Sequence, residues 1–248
     1  QGELTRYKQI RRRLAGRRRP ARAEIAFVID PAVHADLVPT LSCRDSRAPA
    51  SLAHNPLFHL LTLPRVHWPR LGAPYDVITT GELRGAKYKL VVFFHTISLT
   101  AAQRQQALAL RRGGRVLAWV WADGLRLGNE LAAKHQTQLT DIAVRLQETP
   151  QRLFLTPAAA MGEFLKIREV EDHLGAICYH RNTDVSAALT FAPVPIITDE
   201  RGKALADLAE GGRRAMALRQ WRDGMSFYSS SPVLNPEVLR ALARQAGV

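Results

Sequence analysis

Short, unbroken apolar runs alternate along this chain with stretches of helical period. EIAFVID at 24–30 is rich in Ile, Phe and Val and is closed by Pro31, the pattern of a strand covered on both faces. YDVITT at 75–80, YKLVVFF at 88–94 and RVLAWVW at 115–121 repeat it. Between the last two, Thr100 and Gln103 make a T-x-x-Q capping box, Ala107, Leu108 and Leu110 carry the helix, and Gly113-Gly114 closes it behind Arg111 and Arg112. Strand and helix in alternation predict an α/β fold of flavodoxin-like type, a mainly parallel sheet with helices on both faces.

Elsewhere the pattern is less regular. Residues 31–54 read as loop, and residues 55–71 as helical structure interrupted near Pro64 and closed at Gly72. Leu139-Thr140-Asp141-Ile142 reads as the start of an edge strand, and residues 156–184, without a clean period, as an insertion. SAALTFAP at 186–193, PIITDE at 195–200, RRAMALRQW at 213–221 and MSFYSS at 225–230 are β in pattern. They add C-terminal strands, the last two forming a hairpin over Arg222-Asp223-Gly224. The chain ends on a helix with Asn235 as cap, Pro236 at its first position, Leu239, Leu242 and Ala246 on one face and Gly247 at its close.

The 248 residues, 46% of them hydrophobic, suffice for one large α/β domain. No apolar run is long enough to cross a bilayer, no signal-peptide pattern follows the N-terminal charges, and no membrane partner is expected. The net charge of +13 is unevenly placed: nine cations against the single Glu3 give residues 1–22 a charge of +8, leaving +5 for the rest. Such a run suits a solvated linker or N-terminal extension. Binding of nucleic acid is the less favoured alternative, because aromatic residues are not interleaved with the basic ones. Cys43 and Cys178 lack metal or redox spacing, so no metal and no cofactor is implied.

The most telling stretch is RVLAWVWADG at 115–124, a buried strand running into a tight turn. An elbow of the form G-x-C-x-G lifts a nucleophile above the sheet. Aligning Gly124 with the last glycine puts Ala122 where the thiol belongs and Val120 where the first glycine belongs, so no catalytic residue is assigned.

Several segments together resemble the amidotransferase-like, or trimerisation-type, domain of β-galactosidases and related glycoside hydrolases. They are AEIAFVID, LGAPYDVITTGEL, YKLVVFFHTISLT with QALALRRGGRVLAWVWADG, QLTDIAV, and the terminal MSFYSSSPVLNPEVLRALARQAGV. The resemblance implies a fold like that of class I glutamine amidotransferases without their activity, since SSSPVLNPEV holds Glu237 but no histidine to activate a thiol. It also implies a role as a non-catalytic accessory or oligomerisation domain, with the paired carboxylates of hydrolysis on a preceding catalytic barrel. The chain, opening at Gln1 after which a basic segment precedes the first strand, is expected to be a fragment of such an enzyme. Residues 1–22 are then a linker and 23–248 the α/β domain. Its expected partners are the barrel, further copies of the same chain, and carbohydrate at the domain edge.

Candidate site residues follow from position. Asp30, Glu82, His95 and Asp123 fall at the C-terminal ends of strands, the rim where open parallel sheets bind ligands. Asp123 also suits turn stabilisation or capping of a following helix. Trp119 and Trp121, two apart on a strand, are expected to face one side, for sugar stacking or for the core. Trp221 and Tyr228 are candidates for a subunit interface or for core packing. An independent hydrolase or amidotransferase-like enzyme using the rim residues, and a nucleic-acid-binding module using residues 1–22, are the competing readings.

Overall fold

The computed structural model describes residues 22–31, 42–45, 67–83, 87–166 and 189–248. Its first strands are β1 (Ile25–Ile29), β2 (Ser42–Asp45), β3 (Tyr75–Thr79), β4 (Leu90–Phe94) and β5 (Val116–Val120). After β5 come β6 (Arg126–Leu127), β7 (Glu130–Leu131), β8 (Val144–Gln147) and β9 (Leu155–Pro157). The last are β10 (Leu189–Ala192), β11 (Val194–Ile197), β12 (Lys203–Leu208), β13 (Arg214–Gln220) and β14 (Met225–Ser229). The helices are α1 (Ala101–Ala109), α2 (Ala133–Thr140), α3 (Ala160–Leu165) and α4 (Pro236–Gln245).

Eight strands form one sheet in the order β3-β1-β4-β5-β14-β13-β12-β9. The five from β3 to β14 pair in parallel; β13, β12 and β9 extend the sheet antiparallel. Counted along the chain, the parallel strands lie 2-1-3-4-5, the winding of a flavodoxin-like sheet, with its switch point between β1 and β4.

Burial on both faces explains why the central strands are apolar throughout. In β4, Leu90, Val92 and Phe94 join one core while Val91 and Phe93 join the other. The first core is covered by α3 and α4 through Met161, Phe164, Val238, Leu239 and Leu242. The second is covered by Ala107 of α1, Leu110 and Leu139 of α2. Helices therefore lie on both faces, as the alternation predicts.

The capping box of α1 is present: Thr100 Oγ1 accepts the Gln103 N–H and Gln103 Oε1 accepts the Thr100 N–H. The hairpin of β13 and β14 is closed by the Trp221 N–H on Gly224 O at 2.8 Å. Asn235 precedes α4 in extended conformation, but its side chain makes no capping bond; Pro236 begins the helix unaided.

Two expectations are corrected. Leu139 and Thr140 end α2, and Asp141, at φ 56°, turns the chain so that the strand begins only at Val144. Leu139 and Ile142, three apart, reach the same core at helical spacing, and Thr140 closes the turn by accepting the Ile142 N–H. At the start of the supposed insertion, β9 is the last strand of the main sheet and α3 packs on it; residues 167–188 lie outside the described residues. β12 adds a strand, KALADL, in a stretch for which the sequence pattern assigns no element. Its pairing with β13 shifts register between Ala204 and Ala206, which blurs the period of two. The helical reading of 55–66 lies outside the described residues, and the structure begins again at His67.

Candidate functional site

The C-terminal ends of β4, β5 and β14 meet at the turn Trp121–Gly124. Trp121 holds φ 60°, a conformation costly for a bulky residue, on the order of 1–3 kcal/mol. Tertiary bonds offset that cost. Its N–H donates to Ser229 O at 2.6 Å, and its carbonyl accepts the Gln136 amide at 2.6 Å and the Tyr228 hydroxyl at 2.7 Å.

The left-handed residue of an elbow is the one whose side chain is thrown out of the strand. Here that residue is Trp121, one position before Ala122. Both are fully buried, and neither carries a nucleophile. Gly124, at φ 67°, is required: a Cβ there would overlap Leu139 Cδ1.

The same backbone turn overturns the expectation that Trp119 and Trp121 share a face. Trp119 packs in the second core, stacked on Phe93 at 4.0 Å between centroids. Trp121, beyond the end of β5 and left-handed, swings into the first core against His95 and Phe191. Period-two alternation holds only while φ stays extended. With both indoles fully buried, neither presents a face for stacking on a sugar.

Asp123 is fully buried. Its Oδ1 accepts the Thr96 N–H at 2.5 Å and the Thr96 hydroxyl at 3.0 Å, and its Oδ2 accepts the Val120 N–H at 2.6 Å. Burial pushes the carboxyl up to about 7, against the pull of those three bonds. It bridges two strand ends and caps no helix, since the short β6–β7 hairpin follows it.

Gln136 completes the knot. Its amide also donates to Asp123 O at 3.1 Å, and its Oε1 lies 3.3 Å from the Tyr228 hydroxyl. Burial raises the Tyr228 hydroxyl well above the usual phenol range. Arg104 of α1 reaches the same turn, donating to Gly124 O at 3.0 Å and to His135 O; burial lowers its pKa.

His95, left-handed at φ 56° and 2% exposed, donates from Nε2 to Pro232 O at 3.2 Å. Glu82 is exposed and accepts the Thr79 N–H at 2.7 Å and the Thr79 hydroxyl at 2.9 Å, bonds that hold its carboxyl below the usual range. Asp30 is half-buried just past β1. The rim thus brings His95 and Asp123 to the adjacent ends of β4 and β5. Trp221 stands apart, half-buried, donating to Asp141 at 3.2 Å under the Arg111 guanidinium.

Thr96, Gln136, Arg104 and the buried run Ser229–Ser231 are the residues missed from sequence. Small polar residues directly after an apolar strand, as in FFHT and FYSSS, are the signal that marks two of these positions. Gln136 sits in a polar helix and has no such mark. Among the described residues no group of three or more His, Cys, Asp or Glu converges to hold a metal, and no helix is long and apolar enough to cross a membrane.

No family model and no curated sequence matches the chain. Solved structures do match. The chain is similar to a β-galactosidase from Rahnella sp. R3, with TM-score 0.58 and 13% identity over 91% of this chain and 31% of that one. It is similar to one from the haloarchaeon Halorubrum lacusprofundi, with TM-score 0.59 and 16% identity over 91% and 30%. A third, from Bacillus circulans sp. alkalophilus, gives TM-score 0.59 and 14% identity over 91% and 31%. The chain spans about a third of the length of these proteins, and what it shares with that third is the α/β fold.

Proposed function

We propose that this chain is a non-catalytic accessory domain of a β-galactosidase-like glycoside hydrolase, built to pack against a catalytic barrel and against further copies of itself. The observation that carries the reading is one of proportion: nine-tenths of the chain superposes on less than a third of each β-galactosidase. The rim chemistry agrees with it. Trp121 and Ala122 place indole and methyl at the elbow, Glu82 is spent on capping, and Asp123 is enclosed by three donors.

An amidotransferase-like ancestry fits the strained elbow that remains without its thiol. The work left to such a domain is architectural: to hold the barrel's neighbours and shape the approach to its cleft. Edge strand β3 offers a contact surface, with Asp76 and Val77 turned to solvent. Reading the genomic frame upstream of Gln1 tests the proposal. A barrel bearing two carboxylates at glycosidase spacing supports it. A frame with no such barrel refutes it.

A further inference from the structure

We infer that the cleft under the N-terminal edge of the sheet, between α3, α4 and the β12–β14 strands, binds a small carboxylate with an apolar body, of the arylalkanoate type. This goes beyond the accessory role and is tested separately from it. The cleft holds about 310 Å³, at the lower end of small-molecule sites. Its floor is apolar: Leu218 and Phe164 belong to the first core, and Met225 packs against it.

The charge of the lining sets the sign of the ligand. Arg201 and Lys203 stand there against Glu163 alone, two cations to one anion. Asp199 lies outside the lining, and its carboxylate serves two guanidinium groups, taking Arg201 Nε and Nη2 at 3.1 and 3.0 Å with Arg219 Nη1 at 3.8 Å. One anion shared between two cations does not neutralise both. The excess in the lining is a single positive charge, which matches a carboxylate better than a phosphate dianion.

Donors remain to receive it. Arg201 commits Nε and Nη2 to Asp199, and among the described residues no acceptor meets its Nη1. Lys203 Nζ meets Glu163 Oε2 at 2.5 Å, which uses one of the three N–H bonds of an ammonium group. A carboxylate set between the two cations accepts charge-assisted bonds from both. Gln220 and Gln245, both exposed, border the opening with two further amides. The apolar body then covers what Leu218, Phe164 and Met225 leave open to water. The cleft is also distinct from the elbow. Met225 opens β14 and Ser229, bonded to Trp121, ends it, about 13 Å away at the usual strand rise.

The methionines make a built-in reporter. There are three, of which Met161 and Met216 are buried in the core and Met225 lines the cleft. The whole chain, labelled with ¹³C at the methionine methyls, is titrated with 3-phenylpropionate, with the neutral 3-phenylpropanamide, with acetate and with inorganic phosphate. The expected result is a saturable shift of Met225 alone with 3-phenylpropionate, at an affinity about tenfold or more above that for the other three. Lys203→Gln removes a donor and releases Glu163, and is expected to weaken binding about threefold to fivefold. Glu163→Gln removes the competing anion and is expected to tighten binding by about the same factor. Four results would each overturn the inference: no saturable shift with 3-phenylpropionate, equal shifts of all three methyls, an equal affinity for the amide, acetate or phosphate, or a Glu163→Gln chain that binds no more tightly than the wild type. The comparison of carboxylate with amide needs no variant, and because both substitutions are at exposed side chains, unshifted core methyls verify the fold of each in the same spectra.

Discussion

Asp123 clasps Thr96 from the neighbouring strand: one carboxylate oxygen accepts both the backbone N–H and the hydroxyl of Thr96, at 2.5 and 3.0 Å. The second oxygen takes the Val120 N–H at 2.6 Å, so a single side chain brackets the ends of β4 and β5. An amide cannot accept from both sides. Asp123→Asn therefore leaves one buried N–H facing an NH₂ group and is expected to cost about 1–3 kcal/mol. Asp123→Ala, which strands all three donors, costs more. Urea midpoints, at unchanged m-value, measure both.

The same carboxyl makes stability depend on pH. Its value rises from 3.8 to about 7 on folding, so between those limits the folded chain binds more protons than the unfolded one. The stabilisation is complete below pH about 4 and is lost as pH climbs through 7, by at most about 1.4 kcal/mol per unit. The wild-type chain is thus expected to lose more stability between pH 5 and pH 8 than Asp123→Asn does. Parallel pH profiles for the two proteins would contradict the assignment.

Asp199 works in the opposite direction. Burial acts to raise its carboxyl, but bonds from the Arg201 side chain and backbone and from the Ala143 N–H outweigh it and bring the value down to about 2. A depressed carboxyl stabilises the fold above pH about 4 and stops doing so as pH falls through 2. Asp199→Asn should cost about 2 kcal/mol at neutral pH and flatten the acid limb between pH 4 and 2. Acid titrations followed by circular dichroism read that difference.

How far the sequence reveals all this depends on how local each determinant is. β4 and α1 are legible because burial on both faces and a four-residue capping box are written in consecutive residues. β12 is not, since its register is set by β13 across a bulge and its residues alone carry little β pattern. At the elbow the turn is visible in ADG, yet the flip of Trp121 into the other core comes from bonds to Ser229, Gln136 and Tyr228, the farthest more than a hundred residues away. Gln136 could not be singled out, because nothing in KHQTQL distinguishes the glutamine that faces inward.

That shared carbonyl makes Tyr228 and Gln136 energetically coupled. Both donate to Trp121 O, so losing either leaves one bond in place and losing both strands a buried acceptor beside a strained residue. Tyr228→Phe is expected to cost about 1–2 kcal/mol. Combined with Gln136→Leu it should cost more than the sum of the two single changes, by about 0.5 kcal/mol or more. A strictly additive double-mutant cycle would mean that the carbonyl does not link them.

The most direct measurement is turnover by the purified chain itself, with a chromogenic β-galactoside and, separately, with glutamine. A scaffold whose elbow carries Trp121 and Ala122 gives no product above the buffer blank with either substrate. Saturable turnover that vanishes in Glu82→Gln or His95→Ala, while those variants remain folded, would contradict a non-catalytic role.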